Sequence, residues 1–239
     1  MKRAWFKEHP RLLDEIKDDL SRKYPDLRVV EEGEKLFVRG TFPIIHEARV
    51  LDRYQIEIEF PPDYRRSAMP WVREVQGRIP HHMDRHVLHS GNACIFIEEE
   101  WLVEVGEHPS FLEFLDGPVR NFFVSQSLVE AGKPWPFGER SHGLTGLLDM
   151  YGEWFKTRDE SAISQYLDYL TRKAVKGHWP CPCGSSKKLR QCHLQQLCEL
   201  RRRIPRSIAR RALTRWQRVQ EIQRNAAATL ESAVDLSLY

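Results

Sequence analysis

The densest group of metal-ligating residue types is "CPCGSSKKLRQCH", in which Cys181 and Cys183 form C-x-C and Cys192-His193 follows after eight residues. Three thiolates and one imidazole close a tetrahedral set with no open position, which predicts a structural Zn2+ rather than a catalytic one. Gly184 and Ser185 permit the tight turn that brings both pairs to one ion. A module this short has too little core of its own, so the metal is expected to hold it folded. Cys198 lies about one helical turn past His193 and is expected to be a core thiol outside the ligand set.

The second candidate is Cys94, the only cysteine before residue 181, in "HVLHSGNACIFI". A thiol attacks acyl groups well and also leaves well, so it suits a step that takes an acyl group from one thioester and hands it to an amine. Each half builds a negative oxygen that a positioned donor stabilises. His86 is the first choice for that donor, and it could also favour the thiolate or accept a proton from the amine. His81, His82 and His89 are in reach by sequence. The run Glu98–Glu100 could orient an amine, and His142 in "RSHG" could line the site. An acidic run, however, is more often a solvated face.

The elements that must position these groups are legible in outline. Ala4–Lys23 carries Trp5, Leu12, Leu13, Ile16 and Leu20 at helical spacing, and Tyr24-Pro25 ends it. "LRVVEE", "KLFVRGTFPI", "DRYQIEIEFP" and "WVREVQGRIP" read as four strands with short connections, an antiparallel meander. The third is clearest, with Tyr54, Ile56, Ile58 and Phe60 all on one face. From Pro80 to Trp101 the pattern is too polar for a core strand and has no helical stripe, so it reads as a long ordered loop. Helix resumes at Ser110, with Gly117-Pro118 as a break. Further helices are expected over 146–157, 161–173 and from Leu194 onward, interrupted at Pro205. The fold class is therefore α+β.

The chain has 239 residues, 41% of them hydrophobic, and a formal charge of +3. That length allows one sizeable core and a small second module. The mild total charge argues against a nucleic-acid partner, although arginines dominate from Leu200 to Arg224. In that segment Ala212, Trp216, Val219, Ile222 and Ala226 form an apolar stripe, which suggests packing or docking. The charged N-terminus has no signal-peptide apolar region, and no apolar run reaches membrane-spanning length. Five cysteines, three of them packed together, do not resemble a disulfide framework. The chain reads as soluble and cytoplasmic with reduced thiols and no membrane partner. No glycine-rich nucleotide loop is present, so any acyl donor must be activated elsewhere.

The order of helix, four-stranded meander, irregular loop with one cysteine, then helices resembles the ubiquitin-conjugating enzyme (UBC) family. "YQIEIEFPPDY", "GRIP" and "RHVLHSGNACI" carry the likeness, with Gly91 three positions before Cys94, as in that family. The family's usual asparagine, eight positions before the cysteine, is replaced here by His86. That substitution and "PFGERSHGLTGLLDMY" are similar to its bacterial branch, which is often associated with anti-phage defence. The resemblance implies a thioester on Cys94 and a protein donor ending in glycine, either a ubiquitin-like protein or a nucleotidyltransferase. It also implies an activating enzyme acting in trans where the donor is not already loaded. "CGSSKK" between the cysteine pairs resembles the SEC-C zinc motif, a docking element. The expected organisation is 1–173 conjugating domain with appended helices, 174–196 zinc motif and 197–239 basic helical tail. The competing reading is a non-catalytic adaptor that uses the same surfaces to bind a partner.

Overall fold

The computed structural model describes residues 4–62, 64, 69–106, 109–136 and 143–235, the stretch 227–235 as backbone only. The chain divides into two compact units, Met1–Glu139 and Arg140–Tyr239.

The first unit is built on one antiparallel sheet of order β1-β2-β3-β4: β1 Leu27–Glu32, β2 Lys35–His46, β3 Arg49–Phe60 and β4 Trp71–Glu74. The fold is α+β with the meander expected from the alternation. Tyr54, Ile56, Ile58 and Phe60 all point inward and are buried, as their period of two requires. They pack with Phe42, Phe114, Phe122 and Phe123 in one apolar core. Removing side chains of this size from water is the main force holding the unit together.

Three differences from the expected elements have physical causes. The first helix is two: α1 Trp5–Glu8 and α2 Pro10–Lys23. Pro10 cannot continue α1, but at the first position of α2 its missing N–H costs nothing. The stretch Glu98–Trp101, expected as the end of the loop, opens helix α3 Glu98–Val105, with Glu98, Glu99 and Glu100 in its first turn. Carboxylates there are favoured by the positive end of the helix dipole. The Gly117-Pro118 break does not occur. α4 Phe111–Phe114, a π-turn over Leu115–Val119 and α5 Arg120–Glu130 run on as one helical rod. The widened turn accommodates the proline, which lacks a donor. Ser110 caps the rod through a capping box with Glu113.

The second unit contains α6 Gly143–Phe155, α7 Glu160–Thr171, α8 Leu194–Arg203 and α9 Arg206–Asp235. The second compact unit begins at Arg140, ahead of the sequence-based boundary at residue 173. α6 and α7 group with the Cys/His segment, not with the sheet. The reason is a shared core: Phe155 stacks on Tyr166 at 3.8 Å, and Tyr166 in turn reaches the cysteine cluster. Leu167, Leu189 and Leu197 are fully buried. Cys198 is exposed, contrary to the expected core position. The tail stripe is also revised. α9 buries Ile208, Ala209 and Ala212, while Ile222 stands 59% exposed.

Candidate functional sites

The Cys94 loop is fastened at both ends. At its start, Arg78 donates to both oxygens of Asp52 at 2.8 and 2.6 Å and to Glu130 on α5 at 2.7 Å. Its guanidinium also lies 4.2 Å from the Tyr54 ring centroid. The hydrogen bonds from Arg78 hold the Asp52 carboxyl well below the usual carboxylate range. Five residues before Ile79, the carboxylate of Glu74 accepts the Gln76 and Arg78 amides. Further along, Arg85 Nε donates to Gln126 Oε1 at 2.8 Å, and Gln126 Nε2 donates to the Arg85 carbonyl at 2.6 Å. Gln126 is fully buried. Gln126 and Glu130, one turn apart on α5, therefore clamp Arg78 and Arg85 together.

Between these clamps the backbone is specific. Met83–Arg85 forms a 3-10 turn, and His86 follows it in the left-handed region at φ 51°. A branched-away conformation like this in a non-glycine residue is uncommon and is held only by its surroundings. The His86 carbonyl accepts the Cys94 amide at 2.7 Å, and the His86 ring sits 4.2 Å from that of Trp135. Leu88 and Asn92 close a tight turn, and the Ala93 amide donates to the Val72 carbonyl on β4 at 2.7 Å. Arg73 Nε reaches Asn92 Oδ1 at 2.7 Å. Cys94 thus emerges half-buried from a strand-like segment pinned to the sheet. The backbone brings Cys94 and His86 together as neighbours across the loop.

The other sequence candidates scatter. His82 accepts the Asp84 amide at 3.3 Å and caps the 3-10 turn. His89 lies exposed in the turn, and His81 lies over Gly91. Glu98–Glu100 open α3, with Glu99 buried. His142 lies outside the described residues. Sequence reasoning missed Arg78, Arg85, Gln126, Glu130 and Trp135. The long-range pairs that give them meaning leave no periodic signal; only the polar Gln126 inside an otherwise apolar helical stripe marks an interior partner.

Gly91 is required twice over. Its φ is +82°, and a Cβ there would come within 3.0 Å of His81 Cε1. Gly91→Ala is expected to destabilise the first unit by about 1–2 kcal/mol, read as a lowered Tm of the full chain, because alanine strains in this backbone region.

In the second unit Cys181, Cys183, Cys192 and His193 offer ligand atoms that all lie within 4.8 Å of one another. The sulfurs of Cys183 and Cys181, and of Cys183 and Cys192, are 3.5 Å apart, and His193 Nδ1 is 3.1–3.2 Å from Cys192 and Cys181. Ligands about 2.3 Å from a tetrahedral ion sit roughly 3.7 Å from each other, so the group is compatible with a metal ion such as zinc. The chain builds this cage in two pieces. Pro180 and Lys188 pair as an antiparallel bridge, with the Cys181 amide on the Lys187 carbonyl at 2.9 Å and Leu189 on Trp179 at 2.8 Å. Gly184 at φ 74° and Ser186 at φ 57° turn the ribbon. Cys192 and His193 then stand at the start of α8, where the helix dipole favours thiolate.

The cluster is electrostatically crowded. Burial raises the Cys183 thiol, but its hydrogen bonds with Ser185, Cys181 and Cys192 outweigh it and bring it down to about 6. The Ser185 hydroxyl lowers Cys192, yet burial and the neighbouring Cys183 and Cys181 sulfurs carry it upward. Three sulfurs this close do not all ionise readily without a cation between them. Tyr166, fully buried on α7, places its hydroxyl 3.2 Å from Cys181 Sγ and 3.0 Å from His193 Nδ1. Burial first, and then Cys181, push its own titration far up, so it stays a donor. Helical spacing marks Tyr166 only as a core residue, so the sequence did not identify it.

No helix among the described residues is long and apolar enough to cross a membrane. No protein-family model, curated protein or solved structure matches the chain.

Proposed function

We propose that the chain is a bacterial ubiquitin-conjugating-like acyltransferase that carries a protein C-terminus as a thioester on Cys94. The observation that carries this reading is the loop itself: a half-buried cysteine, bonded through its backbone to a left-handed His86, on a segment clamped to α5 and pinned to β4. Such investment in one loop fits a positioned reactive group better than a packing thiol. The order of the first unit also supports it, because helix, meander, cysteine loop and helices follow the UBC layout.

The chemistry runs in two balanced steps. The Cys94 thiolate attacks the carbonyl of an activated donor; the new C–S bond forms, the donor's bond to its carrier breaks, and the leaving group takes a proton. An amine then attacks the Cys94 thioester; a C–N bond forms, the C–S bond breaks, and the amine proton passes to the departing thiolate or to a base. His86 is the proposed donor to the developing oxyanion. The donor is a ubiquitin-like protein or nucleotidyltransferase ending in glycine, loaded by an enzyme in trans, and a role in anti-phage defence follows from the family likeness. Adduct formation tests this. The tagged protein from cells with its native gene neighbourhood should show a slower-migrating form that reductant removes and Cys94→Ala lacks. Equal partner capture by both forms, with no reducible adduct, would favour the adaptor.

The Cys181, Cys183, Cys192 and His193 cage is proposed as a structural Zn2+ site of the SEC-C type. Bound there, zinc would cross-link the ribbon to α8; four protein ligands leave it no catalytic position. Tyr166 would donate its hydroxyl to the Cys181 thiolate, and its ring stands edge-on against the His193 imidazole. Such outer partners are typically worth about 10–100-fold in metal affinity. Tyr166→Phe is therefore expected to weaken zinc retention by about that factor in a chelator competition, with the helical content unchanged.

A further inference from the structure

The arginines of the C-terminal segment divide into two kinds. Arg201 donates to the carbonyls of Tyr169, Leu170, Arg172 and Lys173 and is committed to the end of α7, whereas Arg206 gives only its Nε, to the Thr171 carbonyl, and stands exposed with the second kind. Arg210, Arg211, Arg215 and Arg218 stand exposed on α9, opposite the buried Ile208, Ala209 and Ala212. Residues 200–220 contain no acidic side chain. The mild total charge conceals this, because residues 140–239 hold 18 Lys and Arg against 9 Asp and Glu, a net +9, whereas residues 1–139 hold 19 against 25, a net −6.

The arrangement on α9 is regular. At about 3.6 residues per turn, Arg206 and Arg210 fall on one flank and Arg211, Arg215 and Arg218 on the other, roughly 130° away. Ser207 and Thr214 lie between the two rails, both exposed and seven residues apart. From Arg206 to Arg218 the face is about 18 Å long. A protein partner would need an apolar centre inside a polar rim. Between the rails there is none; the exposed Ile222 lies beyond their C-terminal end. Guanidinium forks suit phosphate oxygens, and nucleic-acid interfaces are polar and strongly positive.

We infer that the exposed face of α9 docks in the major groove of duplex DNA, with the two arginine rails on the phosphates of the two flanking strands. A helix is about 10–12 Å across and the B-form groove about 12 Å wide, whereas the A-form groove of duplex RNA is too narrow. The contact is predominantly to backbone, since Ser207 and Thr214 are short and read bases weakly. Through it the enzyme, or the adaptor, would be held on DNA; the inference stands on α9 alone and survives the failure of the Cys94 reading.

The test uses the full zinc-loaded chain and a 20-base-pair duplex of mixed sequence in fluorescence anisotropy. Five phosphate contacts predict a log–log salt slope of about −4.5, hence about 500-fold weaker binding at 200 mM than at 50 mM salt. The triple change Arg210→Gln, Arg215→Gln, Arg218→Gln should bring the slope to about −2. The corresponding triple change to lysine, which guards against misfolding, should keep it near the original. The idea is overturned if duplex DNA does not bind at 50 mM salt, or if the glutamine variant binds as tightly as the parent. It is also overturned if duplex RNA or polyglutamate competes as well as DNA does.

Discussion

Stripping the metal with a strong chelator is expected to release one zinc per chain and open the segment from Trp179 to His193, while the helices of the second unit stay folded. Free binding energies of structural zinc sites are large, about 10–16 kcal/mol in isolated peptides near neutral pH, so few other ligands hold so much in so short a segment. The loss is local because the surrounding helices have their own core, including the Phe155–Tyr166 stack and the buried Leu167, Leu170 and Leu197. Amide exchange distinguishes the two parts. The Cys181 and Leu189 amides, bonded to Lys187 and Trp179, should exchange about 1,000-fold faster after chelation, as local opening replaces protection by the cage. The α7 amides around Tyr166 should change little. Unchanged exchange at Cys181 and Leu189, or a preparation without zinc, would remove the metal from the account.

Cys94→Ser is expected to abolish transfer to amines yet retain the donor. A serine hydroxyl is a far weaker nucleophile at neutral pH, and its ester is a poorer acyl donor than a thioester. Once formed, the oxyester does not exchange with thiols. The variant should thus accumulate, slowly, an adduct that survives reductant and is cleaved by hydroxide, while conjugate formation falls at least 100-fold. The half-buried loop position permits this, because serine fits the volume left by cysteine and the Cys94 amide keeps its bond to the His86 carbonyl. A variant that conjugates at the parental rate would place the acyl group elsewhere.

The sheet was legible because its period is two and one face is buried; Tyr54, Ile56, Ile58 and Phe60 announce their inward direction without help from the rest of the chain. The Cys/His cage was legible from spacing, since the donor types and the turn between them are local. What the sequence concealed was long-range. Glu98–Val105 carries no apolar stripe, and it stands as a helix because its charges suit the dipole and Trp101 lies over Gly117, where a Cβ would meet the ring at 3.1 Å. The Gly117-Pro118 pair reads locally as a stop, yet a π-turn absorbs it. Nothing local to α6 and α7 says which core they join; the Tyr166 hydroxyl, 15 residues from Cys181 along the chain, ties α7 to the Cys/His segment. Leu197 and Leu200, three apart, share the buried face of α8, and Cys198, one residue past Leu197, is turned about 100° away from it to solvent.

The loop around Cys94 illustrates the same division. Its cysteine, glycine and histidine could be picked from sequence, while the clamp that holds the loop carrying them could not. Arg78, Arg85, Gln126 and Glu130 are ordinary polar residues until α5 meets the loop. The adaptor and enzyme readings share every feature of this clamp, and only the thiol separates them.

The decisive measurement is the intact mass of the protein purified from cells with its native gene neighbourhood, wild type beside Cys94→Ala, each with and without reductant. The account predicts an added mass equal to a protein donor less the group lost on acylation, removed by reductant and absent from Cys94→Ala. Identical masses for both forms under both conditions, with the same partners retained, would contradict a thioester on Cys94.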